Sequence, residues 1–285
     1  MKIKRIFQPL LVILLLLFSF YYTEKSIELI RETDPIMAQI KSTTDKYQVK
    51  STNAQVIGDK IIPGKTGQTI DYEESYTKMK QYGTYNEALT TLKEVQPTIS
   101  VDDYYDKYIV SGNNETKKVA LVFKITTTTT PHQIINILKN TTTKATLFID
   151  GLFLENNIDY IKTLQDFELE LLSYDNKYEE IYFNSSLNYL NSITKKEARY
   201  CYSDYDQKEV IELCEKLKLH TILPTIKVGN HPYSEIKEKL TNSAIISIPI
   251  NQTAEVELPS TINYLKSRGY SLVTLEELLS ESLEK

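Results

Sequence analysis

Beyond Lys117 the chain alternates between two apolar patterns. Short continuous apolar runs occupy 119–123, 145–149, 168–173, 198–203, 220–226, 244–250 and 271–275. Runs of that length, bounded by polar turns, predict buried strands. Between them, helix-like spacing predicts helices over 131–139, 155–166, 178–195, 207–217, 233–240 and 255–267, and a last one over 275–283. Pro131 and Asp206 stand where helix starts are expected, and Gly269 where a stop is expected. Strand and helix alternating at this spacing predict a parallel sheet. Seven such units in so short a stretch suit a small barrel rather than an open sheet, by analogy with the eightfold case.

Upstream the pattern is weaker. Residues 24–50 read as a polar helix or stalk, interrupted by Asp34-Pro35. Residues 51–115 hold short β-like runs, a helical stretch "YEESYTKMKQYGTYNEALTTL" and a polar linker "SGNNETKK". They are read as a small α+β accessory segment ahead of a domain over 116–285. The run "GDKIIPGKTGQT" approaches a phosphate-binding loop. However, five residues separate Gly58 from Gly64 where the Walker pattern needs four, and no long apolar helix clearly follows. It reads as a Pro-Gly turn between strands.

At the N-terminus Lys2, Lys4 and Arg5 precede an uncharged stretch over 6–22. A spanning helix wants about 20 apolar residues, with a lower limit of about 17. Tyr21 and Tyr22 suit a membrane interface, and no small-residue cleavage site follows. The expectation is an uncleaved single-pass membrane anchor over 1–23, with its N-terminus cytoplasmic and the C-terminal domain extracytoplasmic. Secretion after signal cleavage is the alternative.

With 285 residues, 41% of them hydrophobic, the chain can bury one sizeable core beside a smaller segment. A net charge of −5 speaks against a nucleic-acid partner. Cys201 and Cys214 are read as buried thiols, one on a strand and one on the next helix, with pairing as the alternative.

In a parallel barrel, chemistry sits past the C-terminal ends of the strands. Lys124, Ile125, Thr126, Asp150, Tyr174, Asp175, Asp204, Lys227 and Pro249 fall there. A hydrolytic metal site needs about three His, Asp or Glu ligands. Of the three histidines, His220 opens a strand and lies at the wrong end. His132 and His231 fall in rim loops, with Asp150 as the conceivable third ligand. No G-x-S-x-G is present, and Cys201 has no evident base. Asp150, Asp175 and Asp204 supply carboxylates of the kind a glycosidase pairs, or simply solvated rim acids.

The order of these pieces resembles the polysaccharide deacetylase (NodB-homology) family. "KKVALVFKI" looks like the family's first strand, which normally ends T-F-D-D-G. "PHQIINILKNTTTKATLFIDG" looks like its first helix and second strand. "LELLSYDNKY" stands where G-N-H-T-x-x-H is expected, "ARYCYSDY" where R-P-P-Y-G is expected, and "AIISIPIN" where a strand ends in L-x-H. "LPSTINYLKSRGYSLVTLEELL" is similar to the final helix-strand-helix.

The resemblance implies an irregular seven-unit (β/α) barrel of the polysaccharide deacetylase type, behind the anchor and the α+β segment. It also implies that the chemistry is gone. The family's catalytic base and metal aspartate align with Lys124 and Ile125, its metal histidines with Tyr174 and Tyr178, and its catalytic histidine with Pro249. Arg199 and Tyr202 remain of an Arg-x-x-Tyr. No cofactor is expected, because the family's divalent-metal site is replaced.

The resulting expectation is a catalytically inactive module that binds cell-wall glycan or scaffolds wall-synthesis proteins. Its old cleft would be lined by Lys124, Asp150, Tyr174, Asp175, Tyr178, Arg199 and Tyr202, with Tyr200 nearby. The alternative is an active deacetylase or glycan hydrolase using Asp150, Asp175, Asp204 and His231. A third reading is a protein-interaction module using the segment before the barrel.

Overall fold

The computed structural model describes residues 3–283, with side chains from Ile13 onward. Helices Ile3–Thr33 (α1), Pro35–Ser42 (α2) and Thr44–Tyr47 (α3) come first. Strands Gln55–Ile57 (β1), Lys60–Ile62 (β2) and Gly67–Ile70 (β3) follow, then helix Tyr72–Tyr82 (α4) and strand Leu92–Val95 (β4). After the short strand Tyr108–Ile109 (β5) the chain enters its regular part. There strands Lys118–Ile125 (β6), Thr146–Ile149 (β7), Glu168–Leu171 (β8) and Tyr200–Tyr202 (β9) alternate with helices His132–Asn140 (α5), Gly151–Asn156 (α6), Ile158–Lys162 (α7) and Glu180–Thr194 (α8). Helix Lys208–Lys216 (α9), strands His220–Ile222 (β10) and Ile226–Lys227 (β11), and helix Pro232–Lys239 (α10) come next. Strand Ile245–Ser247 (β12), helix Gln252–Ser267 (α11), strand Ser271–Val273 (β13) and helix Leu275–Leu279 (α12) finish the order.

Contacts divide the chain into two compact units with bounds other than those read from the sequence. One comprises 1–51 and 66–96, the other 52–65 and 97–285. In the first unit, Asp34 separates α1 from α2, because its carboxylate accepts the Ile36 amide at 2.9 Å and Pro35 occupies the first helical position. Strands β3 and β4 form an antiparallel pair. Ile40, Ile70 and Met79 make a small core.

No helix among the described residues is long and apolar enough to cross a membrane. This overturns the single-pass anchor and the membrane topology read from it. The apolar stretch of α1 runs directly into Glu24, Lys25, Glu28, Arg31 and Glu32, charges that a spanning helix excludes. Met1 and Lys2 of the expected anchor lie outside the described residues.

The second unit is built from two sheets. In one, β11, β12, β6, β7 and β8 are parallel neighbours. Strand β6 carries three partners: β12 over 120–122, β7 over 122–125 and β13 over 118–120. Since β12 overlaps both other partners, β7 and β13 must divide the opposite edge of β6 between them. Val119 to Phe123 are fully buried there. The second sheet runs β1-β2-β5-β10-β9. The segment before residue 116 therefore contributes strands to the sheet that holds β9 and β10.

The expected irregular seven-unit barrel does not appear as one continuous ladder. Parallel α/β order is present, but no ladder joins β8 to β9, and β10 pairs with β5 rather than β11. At the first break a side chain replaces the ladder. Glu170, 3% exposed, accepts the Arg199 and Tyr200 amides on one carboxylate oxygen, both at 2.9 Å. Buried amides must find an acceptor, and here the acceptor is Glu170. Burial pushes its carboxyl well above the ordinary value of 4.5, and neighbouring Glu168 adds to the shift. Pro224, which has no amide hydrogen to give a ladder, stands between β10 and β11 where the sequence pattern predicts one strand.

Cys201 and Cys214 form a disulfide, correcting the reading as separate thiols. Helix α9 returns along the strand that precedes it and brings the two Cα atoms to 6.2 Å, within bridging range. The run "PGKTG" carries no phosphate loop: a strand, β3, follows it, and Gly64 lies so close to the Thr52 carbonyl that a Cβ would approach to 2.3 Å.

Replacing both cysteines by serine is expected to cost about 3 kcal/mol for a loop of this length, read from urea unfolding. Glu170→Ala strands two buried amides and should cost about 2–3 kcal/mol. Because the folded Glu170 carboxyl is raised, its share of stability is full below the ordinary value of 4.5 and lost as pH rises through the folded value. Glu170→Gln should flatten part of that slope, leaving the part due to Glu168, whose carboxyl is also raised by burial. An unchanged slope would contradict this account.

Candidate functional site

The last two residues of β6 set the site. Ile125 turns into the core and is fully buried. Lys124 faces the other way, and its ammonium donates to Asp204 Oδ2 at 2.6 Å. Asp204 follows β9, and its second oxygen pairs with Lys227 of β11 at 2.7 Å. One carboxylate thus ties together the C-terminal ends of three strands. Burial pushes Asp204 up, but hydrogen bonds from Lys124 and Lys227 and their charges outweigh it, so the carboxyl is held below 3.8.

Tyrosines close around this pair. The Lys124 ammonium lies 5.0 Å from the Tyr202 ring centroid, within cation–π range. The Tyr202 hydroxyl donates to Asp204 at 3.3 Å and sits 2.8 Å from Ser247 Oγ on β12. The Tyr178 hydroxyl donates to the Tyr202 carbonyl at 3.3 Å. Burial, followed by the charges of Asp204 and Asp150, pushes Tyr178 up to about 12, and burial raises Tyr202 as well. Both hydroxyls therefore stay protonated at neutral pH.

The other expected residues are placed elsewhere or already engaged. Asp150, 1% exposed, caps α6 through the Leu152 amide at 3.1 Å and accepts Ser173 Oγ at 2.7 Å and the Asn176 amide at 3.3 Å. Asp175 is exposed in a tight turn where it and Asn176 both have positive φ, a conformation Asp and Asn tolerate. Tyr174 turns toward Glu155 at 3.1 Å and stacks on Tyr182. Gly151 lets it pack close, since a Cβ there would meet the Tyr174 ring at 2.8 Å and Ser186 Oγ at 2.3 Å.

Arg199 does not join Tyr202. It is exposed at the start of β9, 3.8 Å from Asp102, because one strand carries the two residues to opposite ends. Tyr200 is buried near Glu168 and Glu170 at that same lower end. Pro249, half-buried, follows β12 and offers no titratable group. Ser247 is the member of the network that sequence reasoning missed; its place two residues before Pro249, on the same side of an alternating strand, was the available signal.

The histidines do not converge. His132 packs on Tyr160, His231 lies 3.4 Å from Glu257, and buried His220 faces Asp102 at 2.9 Å. Among the described residues no group of three or more His, Cys, Asp or Glu side chains is placed to hold a metal ion. A divalent metal of the deacetylase type does not fit the residues present. Ile125 has no donor atom, Tyr174 and Tyr178 point to other partners, and the Lys124 ammonium brings positive charge to the place.

This is the fold of the polysaccharide deacetylases, the family 4 carbohydrate esterases. The structure of BA3943 from Bacillus anthracis, described as a family pseudoenzyme, matches with a TM-score of 0.68 and 22% identity, covering 88% of this chain and 97% of that one. The family 4 carbohydrate esterase PdaA from Bacillus subtilis matches with a TM-score of 0.52 and 19% identity, covering 62% of this chain and 86% of that one. The uncharacterized protein YlxY of Bacillus subtilis is 25% identical over 273 residues, 87% of this chain and 85% of that protein. No family model matches the sequence.

Asp204→Asn should remove about 1 kcal/mol at neutral pH. Because the folded carboxyl is depressed, its contribution is full above the ordinary value of 3.8 and lost as pH falls through the folded value. Urea unfolding of the protein and the variant should therefore converge on acidification. A gap unchanged down to pH 2 would contradict the depressed carboxyl.

Proposed function

We propose that the protein is a deacetylase-like module without deacetylase activity that binds cell-wall glycan. The observation that carries this reading is the ion pair of Lys124 with Asp204. It stands at the strand end where the resemblance places the catalytic and metal-binding aspartates. A metal-activated water needs anionic or imidazole ligands. In their place this chain has an ammonium, an isoleucine and two tyrosines. The same fold occurs in BA3943, described as a pseudoenzyme, and a mutant of that protein is described as having restored activity. Those descriptions support a reading in which side chains rather than architecture separate the active from the inactive state.

Glycan is the ligand class this reading favours. The Tyr202 ring is buried, so contact with sugar hydroxyls falls to half-exposed Lys227 and to partly exposed Lys124 and Asp204, which supply hydrogen-bond donors and acceptors.

Purified protein given N-acetylated glycan oligomers and Zn²⁺ should release no acetate above the protein-free control. Calorimetric titration with cell-wall glycan fragments should give saturable heat that Lys124→Ala reduces. Zinc-dependent acetate release would overturn the first half of the proposal. The absence of heat with every fragment, from a protein that unfolds cooperatively, would overturn the second.

A further inference from the structure

On the outer wall of the second unit, helices α10 and α11 leave a groove of about 630 Å³ between them. Tyr233 and Tyr264 meet there edge to face, with centroids 5.8 Å apart. Val256, 74% exposed, forms an apolar rim. Ser260 and Asn263 lie along α11, exposed, with no side-chain hydrogen bond to another described residue. Glu257 completes the wall. Its carboxylate accepts the Tyr233 amide at 2.9 Å and faces His231 at 3.4 Å, which fixes where α10 starts and so where Tyr233 stands.

We infer that this groove is a saccharide subsite for an uncharged sugar ring, distinct from the strand-end cluster around Asp204. A sugar has an apolar face and a belt of hydroxyls. The tyrosine pair suits the face, and Ser260, Asn263 and the tyrosine hydroxyls suit the belt. No lysine or arginine lines the groove, and its one charge is a carboxylate. Anionic ligands are therefore disfavoured. The volume falls in the range of about 300–1,000 Å³ that small-molecule sites occupy. The subsite does not require that the Asp204 cluster bind glycan, although it would extend the contact of a chain bound there.

The test uses the full chain and a neutral chito-oligosaccharide as probe, with Tyr233→Ala and Asn263→Ala as variants. Both positions are exposed, and far-ultraviolet dichroism checks their folding. Lys124→Ala serves as the variant of the other cluster. The expected result is a roughly tenfold loss of affinity for each groove variant, equivalent to about 1.4 kcal/mol, with Lys124→Ala retaining groove binding. Perturbation of Tyr264 ring signals on titration would support the same conclusion. Groove variants that bind as the parent does, while Lys124→Ala loses binding, would overturn this inference and leave the proposed function standing. If the oligosaccharide binds none of the proteins, the subsite is overturned. Acidic wall fragments that still give heat in that case would uphold the strand-end reading.

Discussion

Strand β6 is the constraint on which the second unit depends. It is the one strand of its sheet with three partners, and its central residues are fully buried. Three ladders hold its direction and register, so the side chain at its C-terminal end has little freedom of position. That side chain is Lys124. Because the strand is held, the ammonium is carried to the point where segments following β9 and β11 also end, and Asp204 meets it there. A lysine on a surface loop would contribute little. The same residue on a clamped strand organises a cluster.

Two carboxylates, half-buried Asp204 and buried Glu170, do related work at opposite ends of the sheets. Asp204 joins strand ends through charge and is held ionised by two ammonium groups. Glu170 joins β8 to β9 through backbone amides and is pushed toward its neutral form by burial. Each stands where regular pairing has stopped. Where no ladder joins β8 to β9, the Arg199 and Tyr200 amides lack a strand partner, and the Glu170 carboxyl supplies the acceptor. The packing of this unit rests on β6, the apolar core and these bridges, none of which involves a metal ligand.

The strand and helix pattern was legible where apolar periodicity was long. The helices near 131–139, 207–217 and 233–240 appear within a residue or two as α5, α9 and α10. The element read over 220–226 is two short strands, since Pro224 interrupts the ladder, and the helix read over 155–166 breaks into α6 and α7 near Asn157. The anchor was misread because an uncharged run at the lower length limit says nothing of the charged residues that continue the same helix. Of the residues expected to line the cleft, Lys124, Tyr178 and Tyr202 come together beside Asp204. Arg199 was misplaced because a motif written in sequence hides the rise of a strand, which parts residues that stand three positions apart.

By itself the sequence determined the class of fold, the alternation of strands and helices along the chain, and the lysine and isoleucine that end β6, since these follow from local periodicity and residue identity. Only the tertiary structure decided the bond between Cys201 and Cys214, the open seams beside β9 and β10, the groove beneath Tyr233, and the choice of Asp204 as partner for Lys124. Those outcomes depend on which distant segments meet in space. Periodicity along a chain carries no information about that until the ladders of β6 have set the positions of its neighbours.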